Sequence, residues 1–412
     1  VDFSMRILML AQSFAPVVGG EERVVEDQAA ELVRRGHHVA IATVEQPGVG
    51  QPSESHGARV HTLRTSRRRF SSLTRGSKRH RAPPLPDPET VLDLRRVVAE
   101  ERPDVVHAHN WIIHSYLPLD RSKDTALVLS LHDYGLLCAT KRLLRKGRPC
   151  SGPGPFKCVA CAADHYGVAK GLVATGGTLL RGPSLRNHVD LFLPVSSIVQ
   201  RFCRLVGEES EVLPNFIRSL PPAIADDSRL ELLPDDPFIL YFGDVTEDKG
   251  AWNLVEAYRD LEDAPPLVLI GRCYIDGLNE RPGIHTLGSW PHDLTIEALR
   301  RSMFTVAPSI WAEPFGLVAL EAAAAGKAVI ASNIGGLIDI VVDEQTGILV
   351  PPGDRAALGA AIDRLIGDPM LRERLGKAAI ARAGEFNPDV LVPRLEGAYR
   401  RAFANRVSRD ID

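Results

Sequence analysis

Short, predominantly apolar runs recur along this chain, each followed by a segment with a helical stripe. Arg6–Ala11, Asp104–His109, Ala126–His132, Asp190–Val195, Phe238–Phe242, Pro266–Gly271, Phe304–Pro308 and Ala328–Ser332 are such runs. A strand with one face in water alternates apolar with polar residues, whereas a strand apolar throughout must be covered on both faces. Strands that alternate with helices meet that demand as parallel sheets with helices on either side. The first unit shows the pattern in full. Arg6–Ala11 is a strand, a loop carries Pro16, Gly19 and Gly20, and Glu21–Arg35 places Val24, Val25, Ala29, Leu32 and Val33 on one stripe before Gly36 and the strand His38–Thr43. Glycines at a helix start suit a close backbone approach or a phosphate. A tight turn with no ligand explains two adjacent glycines equally well.

A length of 412 residues implies two or three domains. The expected division is an N-terminal domain over 1–217, a proline-rich and acidic linker over 218–237, a second α/β domain over 238–387, and a C-terminal helix over 388–412 that returns to the first domain. Two such units facing each other frame a cleft, the usual place for a ligand. Hydrophobic content of 44% and charged content of 25% are ordinary for a globular protein. A net charge of -3 gives no global pull toward nucleic acid. No apolar run approaches the roughly 18 residues of a membrane span. Arg6-Ile-Leu-Met-Leu-Ala11 is too short for an export signal, and Met5 reads as the natural start with Val1–Ser4 as a leader. The expected compartment is the cytoplasm, where thiols stay reduced.

Several stretches carry chemistry. Residues 64–81 hold Arg64, Arg67, Arg68, Arg69, Arg75, Lys78, Arg79 and Arg81 and read as a basic loop. Its functional partner is an anionic surface or acceptor, and its bland alternative is a solvated loop. One aromatic, Phe70, argues against nucleic acid. Asp104–His109 and Ala126–His132 each end in histidine at the C-terminal edge of a strand, where open sheets place ligands, with His132-Asp133 the stronger candidate. Cys138, Cys150, Cys158 and Cys161 lie among glycines and prolines in an irregular insertion over 138–165. The Cys158-Val-Ala-Cys161 spacing suits a structural zinc with four sulfur ligands, or with His165 in place of one; free thiols or disulfides are the alternatives. Cys203 and Cys273 read as core fillers.

Residues 308–326 set Glu313 and Glu321 eight positions apart around a helix start. Pro314 suits the first helical position. Phe315, Gly316 and Leu317 then offer N–H groups that no helix carbonyl can pair, and Gly326 stops the helix. Carboxylate, anion-binding helix N-terminus and second carboxylate match, in order, the sugar hydroxyls, diphosphate and ribose of a nucleotide-sugar. An amphipathic core helix with two solvated glutamates is the plain alternative.

With Pro308–Gly326, the following Gly335-Gly336 and Val350-Pro-Pro-Gly-Asp354, and the Gly19-Gly20 loop, nearly the whole chain resembles a GT-B glycosyltransferase of the large retaining family 4. The resemblance implies two Rossmann-like doubly wound domains. It implies transfer of a sugar from a nucleotide-diphosphate-sugar to an acceptor hydroxyl with retention, needing no catalytic cofactor. Glu313 then contacts the transferred sugar and Glu321 the ribose. The amides of Phe315, Gly316 and Leu317, with Gly19, Gly20 and Lys249, hold the phosphate end, and His132 faces the reacting sugar. The family commonly has Gly-Arg where this chain has Gly243-Asp244. An anion beside a diphosphate is unfavourable, so Arg272 is the first candidate for a substitute cation. A binding protein that has lost transfer, or a GT-B phosphorylase or epimerase, is the alternative function.

Overall fold

The computed structural model describes residues 4–16, 19–66, 82–120, 122–207, 209–275, 277–278 and 282–408. The chain divides into two compact units, the first formed by Val1–Leu143, Ser151–Phe216 and Pro388–Asp412, the second by Leu144–Cys150 and Ile217–Asn387.

The first unit is built on β1 (Arg6–Ala11), β2 (His38–Val44), β3 (Glu54–Ser55), β4 (Ala58–Leu63), β5 (Val105–His109) and β6 (Ala126–Leu131). A two-stranded hairpin of β7 (Leu144–Arg145) and β8 (Arg148–Pro149) falls in the second unit, and β9 (Leu191–Pro194) completes the first sheet. That sheet runs β3-β4-β2-β1-β5-β6-β9, parallel throughout except for the short β3 edge. Ile7, Leu8, Met9 and Leu10 are all at most 2% exposed, as an apolar strand covered on both faces requires. Each such side chain contributes roughly 1.5–3 kcal/mol by leaving water.

The second unit carries β10 (Ile239–Phe242), β11 (Leu267–Ile270), β12 (Ile284–Gly288), β13 (Phe304–Ala307), β14 (Val329–Ser332) and β15 (Gly347–Val350). They run β12-β11-β10-β13-β14-β15, all parallel. In each unit the order reverses once: between β1 and β5, and between β10 and β13. Connections leave such a pair in opposite directions, which opens a crevice at the C-terminal ends of the two strands.

Helix Pro388–Ser408 belongs to the first unit. Glu396 accepts from Arg35 at 2.6 Å and meets His37 Nε2 at 3.1 Å, and Arg394 reaches Glu211 at 3.1 Å. The cysteine-bearing segment departs from the irregular insertion its glycines and prolines suggest. Residues Pro155–Tyr166 and Val168–His188 are helices, packed so closely that a β-carbon on Gly171 would collide with the Ala162–Ala163 backbone. The linker contains one short helical turn, Ser228–Leu232. No helix among the described residues is long and apolar enough to cross a membrane.

Candidate active site

The second unit gathers its charged side chains at the β10/β13 reversal. The loop after β10 reaches Lys249 and then Gly250, whose φ of 75° suits glycine and whose missing β-carbon leaves room for the Pro308 carbonyl. That approach sets the β10 loop against the loop after β13, and Ile310 N–H donates to the Asp248 carbonyl at 3.0 Å. Lys249 Nζ consequently lies 2.8 Å from Glu313 Oε1. Glu313 is 8% exposed and accepts from the Ser309 hydroxyl as well. Behind it, Gly335 approaches the Glu313 backbone too closely for any side chain, and Gly336 N–H donates to the Glu313 carbonyl at 2.7 Å.

The helix after this loop is Leu317–Ala324, not one that begins at Pro314. Gly316, at φ 103°, is its N-cap, and Ala319 N–H to the Gly316 carbonyl is the first helical bond. The start is displaced because the Pro314–Phe315 backbone is held in the loop by Gly336, against which both residues pack. Leu317 is thus the first helical residue, while Phe315 and Gly316 belong to the loop leading into it. Glu321, 3% exposed, lies within the helix and meets His292 Nε2 at 2.8 Å. His292 opens another helix, His292–Arg301, and the sequence offered no signal for its part here.

Asp244 and Arg272 resolve one another. Residues Asp244 and Arg272 follow the neighbouring strands β10 and β11, and Val245 N–H donates to the Arg272 carbonyl at 2.8 Å. Two parallel hydrogen bonds of 3.0 Å join the Arg272 guanidinium to the Asp244 carboxylate. The anion is therefore compensated, and the cation is held beyond the ends of β10 and β11 in a two-point geometry. Tyr241 O–H donates to the Asp244 carbonyl at 2.8 Å, and burial beside Glu313 and Asp244 pushes its phenol well above the usual range.

The first unit has its own polar cluster at the β1/β5 reversal. Gly19 caps and Gly20 begins the helix Gly20–Arg34, and Glu21 follows in its first turn. Asn110 Nδ2 donates to Glu21 Oε2 at 2.7 Å, and the Gln12 amide reaches the same oxygen at 3.4 Å. Burial pushes the Glu21 carboxyl up to about 7, with Lys141 opposing and Asp133 and Glu22 reinforcing the shift. His132, half-buried beyond the end of β6, lies 2.8 Å from His109 Nδ1 through its Nε2. Burial lowers His132 to about 4, with Asp133 opposing and Lys141 adding to the shift. Sequence reasoning singled out His132 and noted the histidine ending β5, but it missed Glu21 and Asn110, which become a pair only when β1 and β5 lie side by side.

The four cysteines divide between the two units, Cys150 in the second and Cys138, Cys158 and Cys161 in the first. Cys138, Cys150, Cys158 and Cys161 are half-buried, and Cys158 and Cys161 sit one turn apart on a helix. Among the described residues, the set of three or more ligand-type side chains with atoms within 4.8 Å of one another is His61, Glu100 and Glu101, not the thiols. Arg59 already neutralises Glu100 and Glu101, at 3.0 and 2.8 Å. Of the basic stretch, Arg64 pairs with Asp93 at 2.7 Å, and residues 67–81 lie outside the described residues.

Two Rossmann-like units, the second with carboxylates, a lysine and a helix N-terminus at its reversal, define the GT-B class of glycosyltransferase. The profile described as "Glycosyl transferases group 1" matches residues 225–382, and "Glycosyl transferase 4-like domain" matches residues 19–204. A D-inositol 3-phosphate glycosyltransferase of Acidothermus cellulolyticus is 30% identical over 335 residues, 74% of this chain and 68% of the relative. A glycogen synthase of Mycobacterium tuberculosis is 28% identical over 410 residues, 92% of this chain and 90% of the relative. The chain belongs to the group 1 glycosyltransferase family. Its fold is shared by sucrose-phosphate synthase from Thermosynechococcus elongatus, with TM-score 0.75, 23% identity and coverage of 97% and 99% of the two chains. Anabaena HepE in complex with UDP-glucose superposes with TM-score 0.63 and 17% identity, over 95% of this chain and 98% of that one.

Proposed function

We propose that this protein transfers a sugar from a nucleotide-diphosphate-sugar to an acceptor hydroxyl with retention of configuration. The observation that carries this reading is the set Lys249, Glu313 and Glu321 around the Leu317–Ala324 N-terminus, at the one reversal of the second sheet. In the free protein each donor-side group is matched by an internal partner: Lys249 by Glu313, Glu321 by His292, Arg272 by Asp244. A donor exchanges partners with them. Its diphosphate takes Lys249, the Leu317 amide and Arg272; its ribose hydroxyls take Glu321; its sugar takes Glu313.

Cleavage of the bond between the anomeric carbon and the diphosphate oxygen leaves negative charge on that oxygen. Pre-aimed N–H groups and a lysine stabilise it without reorganisation at the moment of reaction. The acceptor oxygen bonds to the anomeric carbon from the face the leaving group vacates, and its proton passes to the released diphosphate. In the first unit His132 is the candidate ligand-facing hydrogen-bond donor, and burial keeps it uncharged at neutral pH.

The test is calorimetry and turnover with a panel of nucleoside diphosphates and their sugars, UDP-glucose first. Glu313→Ala and Lys249→Ala lower turnover by at least about a hundredfold, the scale of losing one preorganised charge-stabilising group. Arg272→Ala weakens nucleoside diphosphate binding about tenfold, as the loss of one charge-assisted contact does. Wild-type rates in both the Glu313 and Lys249 variants sink the assignment. Absence of nucleotide binding by the wild-type protein sinks it too.

A further inference from the structure

We infer that His109 is a positioning residue for His132: it fixes the tautomer of the His132 ring, so that Nδ1–H is the donor His132 offers to a ligand. The inference rests on the proposed role of His132 as a ligand-facing hydrogen-bond donor, but its first test does not depend on that role.

Three imidazoles stand in a row inside the first unit. His107 and His109 have ring centroids 4.2 Å apart, and His109 and His132 are stacked at 5.1 Å. His107 and His109 are fully buried. His107 is held at both nitrogens, by the Tyr399 hydroxyl at 2.7 Å and the Ser130 hydroxyl at 2.8 Å. Burial lowers His107 to about 3 and carries His109 well below its usual value, with the neighbouring rings adding to the effect. All three rings are neutral at pH 7. Each therefore has one N–H and one lone pair, and a bond between two of them requires complementary tautomers.

His109 Nδ1 and His132 Nε2 are 2.8 Å apart. The other nitrogen of His109, Nε2, is buried with no hydrogen-bond partner among the described residues. A proton there would make a buried N–H with nothing to donate to, which is the rarer and costlier orphan. The proton therefore belongs on His109 Nδ1, which donates to the lone pair of His132 Nε2. The proton of His132 is thereby placed on Nδ1. The backbone supports the same pose, because His132 N–H reaches the Asn110 side-chain carbonyl at 3.4 Å, and Asn110 follows His109 in the chain. Asp133 and Lys141, 3.2 Å from each other, are the charged groups beside His132 and partly cancel.

The experiment uses the full-length protein labelled with 15N-histidine. Two-bond proton–nitrogen spectra at pH 7.5 distinguish the Nδ1–H from the Nε2–H form of each ring, and the His132→Asn spectrum assigns His132. The wild-type protein shows His132 in the Nδ1–H form. His109→Asn, whose side-chain amide stands in for the Nδ1 donor, retains that form. His109→Leu shifts His132 toward Nε2–H, with the His107 signal as the control for an intact core. Turnover follows: kcat falls about tenfold in His109→Leu, the scale of one lost hydrogen bond, and recovers in His109→Asn. His132 in the Nε2–H form in the wild-type protein overturns the inference, and that spectrum decides the matter even if the leucine variant fails to fold. An unaltered His132 tautomer in His109→Leu overturns it as well. A shifted tautomer with unaltered turnover upholds the positioning and removes only His132 from the transfer.

Discussion

Glu21 shows how burial reshapes a single carboxyl. Its folded pKa of about 7 lies above its usual 4.5, chiefly because burial penalises the charged form. Between those values the folded state binds more protons than the unfolded state, so stability falls as pH rises from 4.5 through 7 and is level beyond. The total is about 3 kcal/mol at 1.36 kcal/mol per pKa unit. Glu21→Gln is expected to remove that loss and to be the more stable protein at pH 8, as measured by urea unfolding at pH 5 and pH 8. An unchanged pH slope would show that Glu21 is solvated. The histidines act in the opposite sense. Folded values of about 4 for His132 and about 3 for His107 lie below 6.5, so their contribution is lost as pH falls from 6.5 toward 3.

At the scale of elements, the decisive features are loops made by close backbone approach. Gly250 brings the β10 loop onto the β13 loop, and the Lys249–Glu313 pair is the result. Gly250→Ala combines an unfavourable positive φ with a β-carbon against the Pro308 carbonyl, and is predicted to cost about 2–3 kcal/mol. It should also weaken nucleoside diphosphate binding in calorimetry, because Lys249 moves with the loop. Wild-type affinity in a folded variant would mean that Lys249 is not a phosphate contact. Buried strands and striped helices such as Gly20–Arg34 were legible from apolar runs and stripes. The start at Leu317 was not, because Pro314 is a good first helical residue locally and yields to the Gly336 contact from a distant loop. The Pro155–Tyr166 and Val168–His188 helices were hidden for a related reason. Gly171, Gly176, Gly177 and Gly182 oppose helix in the second of them, and close helix–helix packing at Gly171 outweighs that preference.

Across the whole molecule, the C-terminal helix ties chain ends that are far apart in sequence. Glu396, 7% exposed, joins Arg35 and His37, and Tyr399 closes the end of the histidine row. Removing a buried partner leaves charge uncompensated, so Glu396→Ala should cost the first unit about 3 kcal/mol. Because Glu396 belongs to the first unit and Lys249, Glu313 and Glu321 to the second, nucleotide affinity should stay within about twofold of wild type. Calorimetry checks the affinity and thermal unfolding the stability. A tenfold loss of affinity would show that the two units are coupled.

The sequence by itself determined the class of fold, since apolar strands alternating with striped helices have few ways to bury both faces. It also marked His132 by its place at a strand end and Glu313 and Glu321 by their spacing around a helix start, while Lys249 entered through the family resemblance. Tertiary structure decided the partners: His292 for Glu321, Arg272 for Asp244, Asn110 for Glu21, His109 for His132. These pairs are 23 to 89 positions apart in the chain. Strand order and register bring them together, and hydrogen bonding at about 3 Å leaves no trace in the spacing of residues along the chain.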